Sequence, residues 1–333
     1  MAAVTIRDVA SLANVSVATV SRALNGQQNV AQGVRTRVLE AARELRYVPH
    51  HAARSLSSRL TRTIGVVLPD LAGEFFSELM RGIDLVAREH DRHLLVSSYR
   101  NAPGELGPVL RAMRGRVDGM LVLSPYTDST AFEQDLAEAP SVVLLNSPLE
   151  AIGIGGLTVD NHGAARAMVE HLAGQGFGRI AFVSGPRGNF DAQARLRGYL
   201  DALAGHVPGA DPMVLEGDFE QASGYAAGEA IAAMQQRPDA VFAANDMMAL
   251  GCLLAFRKAG LRVPEDIAVA GFDDIPLARY LQPALTTMAM DIAELGGLAL
   301  RMLLAGREAD APRASRLVAP RLVVRDSTRA AMA

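Results

Sequence analysis

The sequence has one cysteine, one lysine and no tryptophan, and aromatic residues make up only 5% of its 333 positions. A lone Cys252 cannot close an intramolecular disulfide, and its place in the apolar run ALGCLLAF reads as a buried, inert thiol. With Lys258 the sole lysine, there is no phosphate-cradling loop ending in Gly-Lys-Ser/Thr. Neither H-E-x-x-H nor G-x-S-x-G occurs, and Gly153-Ile-Gly-Gly is too weak a match to a dinucleotide fingerprint. No enzyme is expected, and no catalytic residue, cofactor or metal site. No apolar run approaches about twenty residues, and MAAVTIRDVA lacks a basic start followed by an apolar stretch. Neither export nor membrane insertion is expected, and the reading is cytoplasmic and nucleoid-associated.

What is present is unevenly distributed. The length points to two or three domains, and 50% apolar content with few aromatics suits Ala/Val/Leu-rich α/β layers. The net charge of −3 hides a polarity along the chain. Residues 1–60 carry eight arginines against Asp8, Glu40 and Glu44, a balance of +5 that leaves −8 for the rest. A basic head on an acidic body implies one anionic partner met by one end.

The first sixty residues show three helical patterns and no strand. Thr5 and Asp8 can cap a helix that runs to about Ala13 with Ile6, Val9, Ala10 and Ala13 on one face. Asn14 and Val15 make a tight turn in which Asn tolerates the left-handed conformation, and Ser16 caps a second helix from Val17 to about Asn25. A third spans about Gln32 to Arg46 and stops before Pro49, with Ala31 where a capping side chain would help. Apolar residues at Val9, Ala13, Val15, Val20 and Leu24 make this a helix-turn-helix. Its second helix shows outward Val17, Ala18, Ser21 and Arg22, and no acidic residue occurs from Val9 to Leu39. Small side chains let a helix enter a major groove whose phosphates would repel carboxylates.

From Pro49 to Arg62, PHHAARSLSSRLTR reads as a linker with fair helix propensity around AARSL and one large apolar side chain, Leu56. From Thr63 apolar strands alternate with amphipathic helices. Strands are expected at Ile64–Leu68, Leu94–Ser97, Met120–Leu123, Val142–Leu145, Ile180–Val183, Ala240–Ala243, Ile267–Gly271 and Thr286–Met290. Helices are expected near 75–90, 105–114, 162–173, 192–203, 224–235, 246–259 and 292–304. Such alternation means parallel sheets covered on both faces, and a break near Val159 favours two doubly wound lobes. Ligands bind such sheets beyond the C-terminal strand ends.

TIRDVASLANVSVATVSRALN, RVLEAARELRYVPHHAARSL, RTIGVVLPD, ANDMMALG, VAGFDDIPLARY and PALTTM, in this order and spacing, resemble the LacI/GalR regulators from Thr5 to about Asp326. The body motifs alone are shared with periplasmic sugar-binding proteins. The resemblance implies an all-α helix-turn-helix head, residues 1–48, and a hinge helix or linker, residues 49–62. It also implies a two-lobed, periplasmic-binding-protein-like core of two doubly wound parallel sheets. Its N-terminal lobe would hold residues 63–159 with 291–318, and its C-terminal lobe residues 160–290 with 319–333.

The same resemblance implies a repressor that binds a palindromic double-stranded operator as a homodimer, its affinity set by a small carbohydrate-like effector. Val17, Ala18 and Arg22 stand at base-reading positions, with Arg22 able to meet guanine O6 and N7 and Val17 or Ala18 a thymine methyl. Thr5, Ser16, Thr19, Ser21 and Asn25 complete the DNA-contacting set on the head. In the hinge, Ala53 accompanies Leu56, which would wedge into the minor groove. Phe75, Tyr126, Asn146, Asp191, Arg195, Asn245, Asp246 and Asp273 match the effector cleft, where amides and carboxylates suit hydroxyls and Arg195 can donate bidentately. Asn245 could instead cap the helix at Asp246.

Some positions depart from the family pattern. Gly73 and Glu74 replace the common Asn-Pro before Phe75-Phe76, and Met247 and Met290 stand where some relatives are polar. RLVVRDSTRAAMA carries no leucine heptads, so a dimer rather than a tetramer is expected. The alternatives are a regulator without small-molecule control, a solute-binding protein of a transporter and an α/β enzyme.

Overall fold

A computed structural model describes residues 4–24, 29–47, 60–100, 104–126, 133–139, 141–147, 154–207, 209–306 and 315–328. The chain divides into two compact units, Met1–Thr61 and Arg62–Ala333.

The first unit holds α1 (Ile6–Ala13), α2 (Val17–Leu24) and α3 (Gln32–Glu44). At the start of α1 the Asp8 carboxylate accepts from the Thr5 amide at 2.7 Å and the Thr5 hydroxyl at 2.8 Å, satisfying groups the helix leaves open. Asn14 ends α1 in the left-handed region at φ 51°, which lets the chain turn sharply into α2. Ser16 Oγ then accepts from the Thr19 amide at 3.1 Å and caps α2. Ala31, at the matching place before α3, makes no side-chain bond. Val9, Val20 and Val38 meet with no exposure, and Ala10, Ala13, Ala23, Ala41 and Ala42 close the core around them. Each buried valine contributes about 1.5–3 kcal/mol, and the alanines let three short helices approach closely.

In the second unit, apolar strands form two parallel sheets. The first contains β1 (Thr63–Leu68), β2 (His93–Ser98), β3 (Gly119–Leu123), β4 (Ser141–Leu145) and β5 (Gly156–Val159), with β11 (Arg316–Val318) returning late in the chain. Its order is β11-β5-β4-β3-β1-β2 and all its pairs are parallel. The helices α4 (Glu74–Glu89), α5 (Leu106–Met113) and α6 (Glu133–Ala137) lie between these strands in the chain. The second sheet, β7-β6-β8-β9, is parallel and built from β6 (Ile180–Ser184), β7 (Met213–Glu216), β8 (Ala240–Ala243) and β9 (Ala268–Ala270). Around it run α7 (Asn161–Gly174), α8 (Phe190–His206), α9 (Gln221–Ala232) and α10 (Asp246–Lys258). Central strands of both sheets are buried along their whole length, as parallel strands covered on both faces must be.

Two features differ from the sequence expectation. The strand near Thr286–Met290 is β10 (Thr287–Ala289), linked to the edge of the second parallel sheet only by isolated parallel bridges, Ala270 with Thr286 and Asp273 with Ala289. It pairs antiparallel with β12 (Arg321–Val323) in a separate ribbon. Strands β5, β7, β11 and β12 and helix α6 were not expected. After the ribbon, α11 (Ile292–Ala305) packs back on α4, so tightly that a Cβ on Gly82 would lie 1.7 Å from the Ala293 carbonyl oxygen. Cys252 is fully buried, its Sγ donates to the Gly224 carbonyl, and burial pushes the thiol up to about 12, which makes it unreactive. Among the described residues, no helix is long and apolar enough to cross a membrane.

Candidate functional site

Two surfaces qualify. On the head, α2 turns Val20 and Ala23 inward and leaves Ser16, Val17, Ala18 and Arg22 exposed, with Thr19 and Ser21 half-buried at its edges. Arg22 Nε donates to the Ala18 carbonyl at 3.3 Å, so the guanidinium lies along its own helix. Thr5 is exposed at the start of α1. Asn25, Ala53 and Leu56 lie outside the described residues.

In the core, a cavity of about 300 Å³ is lined by residues just beyond the C-terminal ends of strands from both sheets. Asp70 follows β1, Tyr126 follows β3 and Asn146 follows β4; Asn189 and Asp191 follow β6; Asp218, Phe219 and Glu220 follow β7; Asn245 follows β8 and Asp273 follows β9. Phe75 and Phe76, at the start of α4, complete one wall in an edge-to-face pair with centroids 5.3 Å apart. Phe219 enters because Gly185 lacks a side chain; a Cβ there would lie 2.4 Å from the ring. Asn146, Phe219 and Asp273 all have positive φ, at 44°, 74° and 112°. Three such residues around one cavity are strain of the kind that gathers at binding sites.

Most polar groups here are already engaged. Arg195 is buried, gives its Nε to Asn161 Oδ1 at 2.7 Å and its Nη1 to the Ala244 carbonyl, and stands 3.6 Å from Asp273. Its guanidinium carbon lies over the Phe272 ring, 3.7 Å from the centroid. Asn161 passes the interaction on, donating Nδ2 to Asp191 at 2.8 Å. Burial pushes Asp191 up to about 6, although Arg195, Asn146 and Asn161 pull the other way. Burial raises Asp273 to about 7, opposed by Arg195 and reinforced by Asp191. The exception is Asn146: the side chain is 3% exposed, yet its Oδ1 has no partner.

Seven of the eight cleft residues expected from sequence therefore line one cavity, and Asp246 does not. With no exposure, its two oxygens accept from the Ile275 amide and the Thr287 hydroxyl, which ties the start of α10 to the ribbon strand β10. Asn245 faces the cavity but caps α10 through the Met248 amide at 3.0 Å and donates to the Phe219 carbonyl. Met247 lines the cavity; Met290 lies in the core instead. Sequence reasoning missed Asn161, Asn189, Asp218, Phe219 and Glu220. Once β7 is seen, GDFE stands at a strand end where ligands bind, so the signal existed but depended on an unrecognised strand.

Comparison with known proteins finds matches to both units of the chain. Residues 5–50 match the bacterial regulatory proteins of the lacI family, and residues 169–328 a periplasmic binding protein-like domain. The chain is 36% identical over 332 residues to the HTH-type transcriptional repressor CytR of Escherichia coli (strain K12), spanning 98% of this chain and 97% of that one. It is likewise 36% identical over 304 residues to catabolite control protein A of Priestia megaterium, spanning 90% and 91%. Its fold matches the lac repressor dimer bound to operator and the anti-inducer ONPF with a TM-score of 0.90 at 30% identity, covering 99% and 100% of the two chains. Two of these relatives are repressors by name, and one of them is bound to its operator. A head matched by the lacI family model, and similarity to CytR and the lac repressor along nearly the whole chain, show that the chain belongs to the lacI family of bacterial regulatory proteins.

Proposed function

We propose that this protein is a cytoplasmic transcriptional repressor that binds a palindromic operator as a homodimer and changes its operator affinity when a small carbohydrate-like molecule occupies the core cavity. The observation that carries the proposal is the exposed face of α2, where Val17, Ala18 and Arg22 project with no carboxylate beside them. Arg22 would release Ala18 and meet guanine O6 and N7, Val17 and Ala18 would fit against thymine methyls, and Ser16, Thr19, Ser21 and Thr5 would bond phosphates. The expected contacts of Asn25, Ala53 and Leu56 belong to the same proposal, with Leu56 as a minor-groove wedge.

In the cavity, Asn146 Oδ1 and the Asp191 and Asp273 carboxylates would accept hydroxyl protons while Phe75, Tyr126 and Phe219 flank a ring. Similarity to a CelR–cellobiose complex, with a TM-score of 0.71 at 31% identity, supports a carbohydrate-like guest. Binding would shift the angle between the two sheets' lobes and pass to the DNA end through the intervening segment, a coupling typically worth about 1–3 kcal/mol. Selection of duplexes from a random pool by the full-length protein tests the proposal. A palindrome with half-sites about one turn apart is expected, and recovery of unrelated sequences, with and without added metabolites, would overturn it.

A further inference from the structure

The charge of the cavity narrows what can enter it. Asp70, Glu74, Asp191, Asp218, Glu220 and Asp273 line it, against one guanidinium, Arg195, and no lysine or histidine among the described lining residues. Arg195 carries one positive charge and stands 3.6 Å from Asp273, so it offsets that carboxylate and leaves the other five without a counter-charge among the described lining residues.

Hydrogen-bond polarity points the same way. The buried Asn146 Oδ1 lacks a partner and can only accept, as can ionised carboxylates. A guest must therefore bring donors, hydroxyl or amine, or leave that oxygen desolvated and unpaired. A phosphate or carboxylate would bring acceptors and more negative charge. Burial raises Asp273 to about 7, so near neutral pH it is only partly ionised, and the negative charge an anion would meet rests on the other carboxylates of the cavity.

We propose that the cavity selects its effector by charge, admitting a neutral or cationic hydroxyl-bearing ring and refusing the phosphorylated or acidic form of the same ring. The proposal rests on the cavity being the effector site, and the test separates the two claims. A bacterial metabolite extract is split on an anion-exchange resin, and each fraction is added to the full-length protein while thermal unfolding of the core is followed. Stabilisation by the unretained fraction alone is expected. Stabilisation by the retained, anionic fraction, alone or equally, overturns charge selection. Silence from both overturns the effector reading itself. The same protein is then titrated with ribose, cellobiose, glucose and glucosamine and with ribose 5-phosphate, glucose 6-phosphate and glucuronate. For any ring that binds, the anionic form should bind at least about tenfold more weakly at low salt. That gap should narrow severalfold at high salt and in the rim double variant Asp218→Asn, Glu220→Gln, because these carboxylates are exposed and screened. A gap indifferent to both salt and the rim variant would assign the rejection to shape and overturn the proposal.

Discussion

The head and the cleft treat polar groups in opposite ways. On α2, Ser16 and Thr19 bond each other, Arg22 folds onto its own helix turn, and the rest of the exposed face is Val17 and Ala18. These are contacts within one helix turn, so the face is a set of side chains with local partners. In the cleft, Arg195, Asn161, Asp191 and Asp273 are joined across α7, α8 and the end of β9 before any ligand arrives. A DNA-reading surface built this way can change specificity residue by residue, whereas a change in the cleft propagates through bonded neighbours and is felt as stability. Removing a shared partner should show the contrast most clearly.

Arg195→Ala should have the largest effect. It strands Asn161 Oδ1 and the Ala244 carbonyl and leaves Asp273 buried without its counter-charge, so denaturant unfolding of the core should show a loss of about 3–5 kcal/mol. A loss under about 1 kcal/mol would mean that the cleft network does not act as a unit.

The same network makes core stability depend on pH. Asp273 is raised to about 7 from an ordinary 3.8, so the folded protein holds this proton more tightly than the unfolded chain. Its contribution is complete below about pH 4 and is lost as the pH rises through about 7; Asp191, raised to about 6, acts in the same direction. Melting temperature of the core should fall across this window, and Asp273→Asn should flatten the fall. An equal slope in wild type and variant would assign the pH dependence to other groups.

On the head, Arg22→Ala should cost about 1–3 kcal/mol of discrimination between the selected duplex and one altered at a single guanine, without moving core unfolding. Equal losses on both duplexes would reduce Arg22 to a phosphate contact. The smallest effect is expected at α3, where Ala31→Ser supplies the missing cap and should add about 1 kcal/mol to protection of the α3 amides in hydrogen exchange.

How much was legible follows from the same contrast. The helix-turn-helix could be read because its signals are local: Thr5 with Asp8, Asn14 in the turn, Ser16 before Val17, and the valine spacing. The two-sheet core was legible from long buried strands such as Gly119–Leu123 and Ile180–Ser184. The unexpected strands are short or half-exposed: Met213–Glu216 alternates between half-buried and exposed, and Arg316–Val318 is mostly exposed, so neither shows the apolar run of a covered strand. Missing β7 hid Phe219 and its neighbours. Nothing local distinguishes Asp246 from a cavity residue, because its burial is decided by Ile275 and Thr287, far along the chain. The unpartnered oxygen of Asn146 is likewise a property of three-dimensional neighbours.

The central claim is that one chain reads a DNA sequence with its head and has that reading tuned from its core. It is tested most directly by measuring the affinity of the full-length protein for its selected duplex and for a scrambled duplex of equal length, each with and without the unretained metabolite fraction. The expected result is strong preference for the selected duplex and a shift of about 5–150-fold on adding the fraction, with the scrambled duplex little changed. Equal affinity for both duplexes, or a selected-duplex affinity indifferent to every metabolite fraction, would contradict it.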